Sequence, residues 1–361
     1  MPKTRVVVAM SGGVDSSVAA GLLVREGYEV IGITMRLWTQ DDPDAARHHK
    51  RCCSVEDTSD AQAAADTLGI RHYVLNLERE FAEDVVDRFV QQYARGRTPN
   101  PCLACNDKVK FRPLLDHAVA LGAEYLATGH YAQITREAGG SARLHCAVDP
   151  GKDQSYVLYT LGQEELRRTL FPVGGYTKEE IRTLAHEMAL PNADKPDSAD
   201  ICFIPSGDYR AFVRDRVPVA AGDIVDTAGH TVGEHEGIAN YTIGQRRGLP
   251  ARGDSEPIFV VDIDPADNRV VVGPHEMLMS AGLIAEDLTW IDGAAPSANF
   301  RADAKIRYRA EPVPSNIALG GDGGGEVRFD RPQRAVTPGQ AVVFYEGNRV
   351  LGGGTIVRRS D

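Results

Sequence analysis

Up to about residue 204, short apolar runs alternate with stretches in which apolar residues recur every three or four positions. Arg5 to Ala9 is apolar at Val6, Val7 and Val8 and too short for a helix, so it reads as a buried strand. A glycine-rich turn follows, and then Asp15 to Glu26, where Val18, Leu22 and Leu23 fall on one helical face. Strands are predicted in the same way over Val30 to Leu37, His72 to Leu77 and Tyr125 to Thr128, with helices over Asp57 to Leu68, Glu78 to Tyr93 and Phe111 to Leu121. Strands separated by helices need crossover connections, which lay successive strands parallel, so this part is predicted to be an α/β unit with a parallel sheet.

After Ile204 the texture changes. A short helix is predicted over Asp208 to Arg216, turn-rich sequence such as Asp226 to Gly233 follows, and helical periodicity largely disappears. From about Gly282, runs such as Ala304 to Tyr308, Glu326 to Phe329, Ala341 to Tyr345 and Val350 to Val357 alternate with Gly, Pro and Asp. That is the pattern of a small antiparallel β-barrel, with Gly320 to Gly325 as a loop tip. Three domains are expected: 1–205, a small linking unit over 206–280, and a C-terminal barrel over 281–361. A length of 361 residues suits that division at roughly 150 residues per domain.

Charge narrows the partners. The 40 basic and 51 acidic side chains leave a formal charge of −11, which argues against a protein that coats nucleic acid indiscriminately. The excess is uneven: 281–361 holds 10 of each sign, whereas 206–280 holds 7 basic against 12 acidic, so the last third repels a polyanion least. Apolar runs such as Val6 to Met10 fall far short of the roughly 20 residues that span a bilayer, and the N-terminus lacks a secretory pattern. A cytoplasmic enzyme without a membrane partner is expected, and its six cysteines then point to metal binding or thiol chemistry rather than to a disulfide scaffold.

The turn after the first strand reads Ser11-Gly12-Gly13-Val14-Asp15-Ser16-Ser17 and enters a helix. Two glycines let the backbone approach an anion, the helix N-terminus presents amides and positive potential, and Ser11, Ser16 and Ser17 add hydroxyls. A carboxylate beside a polyphosphate is costly unless it holds Mg²⁺ or caps the helix, so Asp15 is expected to do one or the other. No lysine follows the glycines, which excludes the usual triphosphate loop, and the spacing excludes a dinucleotide fingerprint. The motif resembles that of the PP-loop ATP pyrophosphatases, which implies ATP use but covers small-molecule synthetases as well as RNA-thiolating enzymes.

Cysteines discriminate among these. Thr98-Pro99-Asn100-Pro101-Cys102-Leu103-Ala104-Cys105-Asn106 reads as a rigid loop with a turn-type Asn106, followed by Lys108, Lys110 and Arg112, whose charge would favour a thiolate. Cys202 lies among apolar residues in Ile201 to Ile204, and Cys52, Cys53 and Cys146 read as non-catalytic. Together with Ala127-Thr128-Gly129-His130-Tyr131, Lys152 to Tyr156, Asp197 to Ile204, Tyr241 to Gly248, Arg307-Tyr308 and Pro338 to Gln340, these motifs make the chain similar over nearly its whole length to the tRNA-specific 2-thiouridylase (MnmA) family.

That resemblance implies ATP-dependent replacement of the carbon-2 oxygen of the wobble uridine by sulfur from a cysteine persulfide, with release of AMP and pyrophosphate. It makes Cys105 the nucleophile and Cys202 the persulfide carrier, ending as a disulfide. It places ATP, with Mg²⁺, on Ala9, Met10, Ser11, Gly12, Gly13, Val14, Asp15 and Ser16 together with Met35 and Gly129. It brings Asn100, Pro101, Cys102, His130, Lys152, Asp153, Gln154, Arg307, Tyr308 and Gln340 to tRNA, with acceptors for Lys, Glu and Gln expected, and it requires a persulfide donor protein. Arg246 and Arg247 are added as backbone contacts because they stand in acidic surroundings.

Cys102 departs from the family pattern, in which many members carry Asp. The role of that acid does not transfer, and a third thiol leaves open a four-iron cluster on Cys102, Cys105 and Cys202 as an alternative to the persulfide relay. A PP-loop synthetase acting on a small molecule, and an ATP-gated RNA-binding protein, are the other readings; neither explains three placed cysteines.

Overall fold

A computed structural model of the chain describes residues 3–38, 55–197, 201–204, 206–250, 257–321 and 323–360. Cys52 and Cys53, and Ser198 to Asp200 of the Cys202 motif, lie outside the described residues.

Strands β1 (Arg5–Ala9), β2 (Glu29–Arg36), β3 (Arg71–Asn76) and β4 (Tyr125–Thr128) form a parallel sheet with a short strand, Thr169–Leu170, in the order β3, β2, β1, β4 and then Thr169–Leu170. Alternate residues of β1 face opposite cores. Val6 and Val8 pack with helices α1 (Val14–Arg25) and α2 (Val55–Leu68), while Val7 joins Ile31, Ile33, Phe81, Phe89 and Phe111 on the other side. The chain steps outward from β1 through β2 to β3 and then returns to β4 on the far side of β1. This reversal opens a crevice beyond the carboxyl end of β1, where α/β sheets bind ligands.

Both helical runs on the second face contain π-helical turns, Ala82–Asp87 and Cys105–Phe111. The segment expected as a rigid loop is helical from Pro101: Asn100 caps it by accepting from the Cys102 amide at 3.1 Å, and Pro101 supplies the fixed φ of a first helical residue. Asn106 is consequently not a turn residue. It is fully buried within the π turn and donates to the Val157 carbonyl at 2.8 Å.

The hairpin Ala132–Arg136 and Ala142–Cys146 leaves the α/β unit and joins the C-terminal sheet through the Arg349–His145 register. Residues 222–273 make a four-stranded sheet in which the two hairpins Gly222–Asp226 with Thr231–His235 and Phe259–Asp264 with Arg269–Gly273 meet side by side. The last six strands, Met279–Trp290, Asn299–Lys305, Val313–Leu319, Gly325–Arg334, Ala341–Glu346 and Arg349–Ser360, close into an antiparallel barrel because Met279–Trp290 pairs with both Gly325–Arg334 and Arg349–Ser360. Strands Val313–Leu319 and Gly325–Arg334 flank the expected loop tip, whose last residue, Gly325, already belongs to the second strand. Among the described residues no helix is long and apolar enough to cross a membrane.

Candidate active site

The phosphate loop is built by close approach. Gly12 has φ +76°, and a Cβ there would lie 2.2 Å from the Asp57 carbonyl oxygen; at Gly129, just after β4, a Cβ would lie 2.6 Å from the Ser16 amide nitrogen. Only glycine fits either position, so the loops after β1 and β4 meet backbone to backbone in the crevice. The Ser16 and Ser17 hydroxyls each donate to the Gly13 carbonyl at 3.1 Å, and the Ser11 amide donates to Ser16 Oγ at 3.1 Å, which sets the turn in shape.

Asp15 does not cap α1. Gly13 is the capping residue, and the Asp15 carboxylate accepts from Lys178 Nζ at 2.7 and 2.9 Å and from the Tyr131 hydroxyl at 2.7 Å. Burial, and then the Asp15 charge, push the Tyr131 hydroxyl pKa up, so it remains a donor. Lys178 is a residue that sequence reasoning missed. It opens the helix Lys178–Glu187 behind the reciprocal cap Thr177–Glu180, and a cation at a helix N-terminus opposes the helix dipole unless an anion faces it. That conflict was a legible signal. Asn192, also missed, donates to the Gly12 carbonyl and to Ser17 Oγ, both at 3.0 Å, from outside any motif.

Ala9, Met35, Cys102, Cys105 and Cys202 all belong to or pack against one core. Cys105 is buried at the start of its π turn, whereas Cys102 and Cys202 are half-buried. The basic residues expected to activate them are partly neutralised: Lys108 pairs with Asp107 at 2.8 Å and Arg112 with Glu165 at 3.2 Å. Phe203 and Ile204 anchor the Cys202 segment, with Phe203 among Phe81, Phe89 and Phe212 at ring distances of 5.7, 5.3 and 5.3 Å. Among the described residues no group of three or more His, Cys, Asp or Glu side chains is arranged to hold a metal ion.

His130 follows β4, with Nδ1 2.8 Å from Thr128 Oγ1 and its ring near Phe111 and Phe171. Asp153 and Gln154 are turned inward: Asp153 accepts from the Ala147 amide at 2.9 Å and from Ser155 Oγ at 2.8 Å, and Gln154 Oε1 accepts from the Tyr131 amide at 3.0 Å. Lys152 pairs with Asp197 at 2.7 Å. Far along the chain, Arg307 donates to the Ala335 carbonyl at 2.5 Å and to Thr337 Oγ1 at 2.9 Å, and Gln340 donates to the Thr98 carbonyl at 2.7 Å. Tyr308 is exposed at the barrel edge beside Tyr156, and Arg246 and Arg247 are exposed.

Three family models match the chain in succession: a tRNA methyl transferase HUP domain over residues 4–206, a tRNA methyl transferase PRC-barrel domain over 210–274, and an aminomethyltransferase beta-barrel domain over 280–356. The tRNA-specific 2-thiouridylase MnmA of Chloroflexus aggregans is 49% identical over 355 residues, 98% of each chain. That of Geobacter metallireducens is 50% identical over 358 residues, 98% of this chain and 97% of the relative. A solved 4-thiouridine synthetase–RNA complex with bound ATP is 18% identical, covering 60% of this chain and 50% of the other, at a TM-score of 0.37, too distant to carry an argument.

Proposed function

The chain belongs to the tRNA-specific 2-thiouridylase family, and from that premise we propose how its own residues carry the reaction. It is an ATP-dependent tRNA-uridine 2-sulfurtransferase. The domain models are worded for methyl transfer, but a phosphate loop beside placed cysteines serves sulfur chemistry. In our reading residues 1–205 bind ATP and carry the cysteines, 206–280 form a small unit that meets tRNA, and the barrel of 281–361 contributes to tRNA docking, in the cytoplasm.

A uridine carbonyl oxygen is a poor leaving group, and adenylation makes it a good one. The loop from Ala9 to Ser16, closed by Gly129, suits the phosphates of ATP, with Met35 at the end of β2 as a neighbour on the same core. Magnesium would accompany the nucleotide phosphates, since both oxygens of Asp15 are already engaged by Lys178. The terminal sulfur of a Cys202 persulfide is then delivered to carbon 2, AMP leaves with the former carbonyl oxygen, and Cys105 takes up the remaining Cys202 sulfur as a disulfide. Two thiols thereby supply the two electrons that the sulfane sulfur accepts, so a reductant and a persulfide donor protein complete the cycle. The target base has to leave the anticodon stack, and His130 stands at the strand end as its neutral neighbour.

The observation that carries this reading is that both cysteine segments and Ala9, the residue of β1 from which the phosphate loop departs, pack against a single core. The test is nucleoside mass analysis of tRNA for Lys, Glu and Gln incubated with purified, iron-free chain, ATP with Mg²⁺, and a persulfide source. Product 2-thiouridine matched by AMP is expected, lost in Cys105→Ser and Cys202→Ser and retained in Cys102→Ser. Product that appears only after anaerobic restoration of iron and sulfide, and is lost in Cys102→Ser, would establish the cluster instead.

A further inference from the structure

Asn192 reaches the phosphate loop from its buried side. Its amide nitrogen donates to the Gly12 carbonyl and to Ser17 Oγ, both at 3.0 Å. The Gly12 carbonyl can only accept, so the atom facing it is the amide nitrogen and the orientation of the side chain is fixed. The Ser17 hydroxyl gives its hydrogen to the Gly13 carbonyl at 3.1 Å and therefore meets Asn192 with a lone pair. Both carbonyls of the glycine pair are thus held inward, that of Gly12 by Asn192 directly and that of Gly13 through Ser17, with Ser16 Oγ as a further donor to Gly13 at 3.1 Å. Asn192 and Ser17 are buried, and the side-chain oxygen of Asn192 has no hydrogen-bond partner among the described residues. What the loop uses is the pair of amide hydrogens.

We infer that Asn192 is a positioning residue for the pyrophosphate portion of ATP: by fixing the carbonyls of Gly12 and Gly13 it aims the amides of Gly13 and Val14 at the anion. Both peptides are trans, with C=O and N–H on opposite edges of one plane, so a carbonyl held inward turns the following N–H outward. Val14 is the first residue of α1, and the helix N-terminus adds positive potential on that same side. The Gly13 amide donates to Ser11 Oγ at 3.4 Å, long for such a bond, and an incoming phosphate oxygen can take its place. Asn192 is itself held firmly. It lies in the turn that follows the helix Lys178–Glu187, where Ala189 takes φ +52°, and Arg182 of that helix donates to the carbonyls of Ala193 and Lys195 at 3.1 and 3.3 Å. Leu190 and Ala193 join the core that holds Val14 and Val18. The helix that opens with Lys178 on Asp15 thereby leads into the turn that sets the loop carbonyls, so the carboxylate and the amides of the phosphate site share one support.

The inference rests on the ATP-dependent reading, and its test needs neither tRNA nor thiolation. The dipeptide Gly-Val occurs once in the chain, at Gly13-Val14, so protein isotope-labelled in glycine carbonyls and valine nitrogens gives one amide signal in a carbonyl-filtered NMR spectrum, that of Val14. Inorganic pyrophosphate and a non-hydrolysable ATP analogue are expected to move that signal, and AMP, which lacks the outer phosphates, to leave it in place. In calorimetry Asn192→Ala should bind the analogue and pyrophosphate at least about tenfold more weakly, the scale of a lost contact to a charged group, and AMP as tightly as the parent. Ser17→Ala removes the link to Gly13 and should weaken the same two ligands. The double variant should lose less than the product of the single losses, because both side chains act through one hydrogen-bonded chain. Analogue bound by the parent while the Val14 signal stays still overturns the inference alone, and needs no variant to fold. So does unchanged pyrophosphate affinity in Asn192→Ala, or an equal loss for AMP, which is what general disorder of the loop would give. A parent chain that binds neither the analogue nor pyrophosphate overturns it together with the ATP-dependent reading.

Discussion

A histidine whose Nδ1 lies 2.8 Å from Thr128 Oγ1, with the rings of Phe111 and Phe171 at 5.8 and 6.0 Å, has little water with which to stabilise a charge. Burial, and then the Lys110 charge, hold the His130 pKa well below the ordinary 6.5. The folded chain thus resists a proton that the unfolded chain accepts, so stability from this residue is complete above about 6.5 and declines as pH falls below it. The His130 ring signal in an NMR titration should stay that of a neutral imidazole from about pH 8 to about pH 6, and a midpoint near 6.5 would refute the burial argument. Gly129 beside it makes a steric prediction. Gly129→Ala places a Cβ 2.6 Å from the Ser16 amide nitrogen, against backbone that cannot rotate away, and should weaken ATP binding by about tenfold or more in calorimetry. Gly13→Ala, whose Cβ would meet only Ser11 Oγ at 3.4 Å, should leave the melting temperature close to that of the parent.

At the scale of elements, Phe203 packs between the helical run 78–94 and the helix Tyr209–Arg214, touching Phe81, Phe89 and Phe212, beside the direct ring contacts Phe89–Phe212 and Tyr93–Tyr209. Phe203→Ala should cost about 3–5 kcal/mol in denaturant unfolding, as for other large-to-small core changes, and should scatter the Cys202 thiol. A loss under about 1 kcal/mol would mean that the aromatic cluster does not anchor it. The parallel strands were legible because a strand buried on both faces is an unbroken apolar run: Arg5 to Ala9 and Tyr125 to Thr128 are found where expected. Met279–Trp290 was not, because register shifts at Ser280/Gly282 and beyond Ile284, and a positive φ at Asp287, break the two-residue alternation that marks a half-buried strand. At the site the glycine-rich turn and the cysteine motifs announced themselves, being local. Asn192 and the ties of Asp197 are contacts between distant segments, and composition near each residue carries little trace of them; Lys178 left one local sign, a cation opening a helix.

At the scale of the whole molecule, the barrel is continuous with the α/β unit. Tyr156 donates to the Ala341 carbonyl at 2.9 Å, and Tyr345 and Val343 share the core that holds Cys105. The Thr98 backbone, ahead of the cysteine helix, is gripped from the barrel side by Gln340 at its carbonyl and by the Pro338 carbonyl at its amide, with Arg97 paired to Glu286 at 3.1 Å. This bears on the residues assigned to tRNA by resemblance. Arg307 is half-buried, its charge is disfavoured first by burial and then by Arg334, and its guanidinium holds the turn at Ala335 and Thr337 that leads to Pro338. Arg307→Ala would leave those acceptors without their donor, which should destabilise the chain by about 1–3 kcal/mol in denaturant unfolding. A residue spent on such a turn contributes no released counterion, so the slope of tRNA affinity against salt should match that of the parent even where affinity itself falls. Arg246→Ala, at an exposed guanidinium, is the contrasting variant: it should leave stability unchanged and flatten the slope. Should Arg307→Ala instead flatten the slope at full stability, Arg307 meets phosphate directly, and the clasp from the barrel to the Thr98 loop is not what this arginine serves.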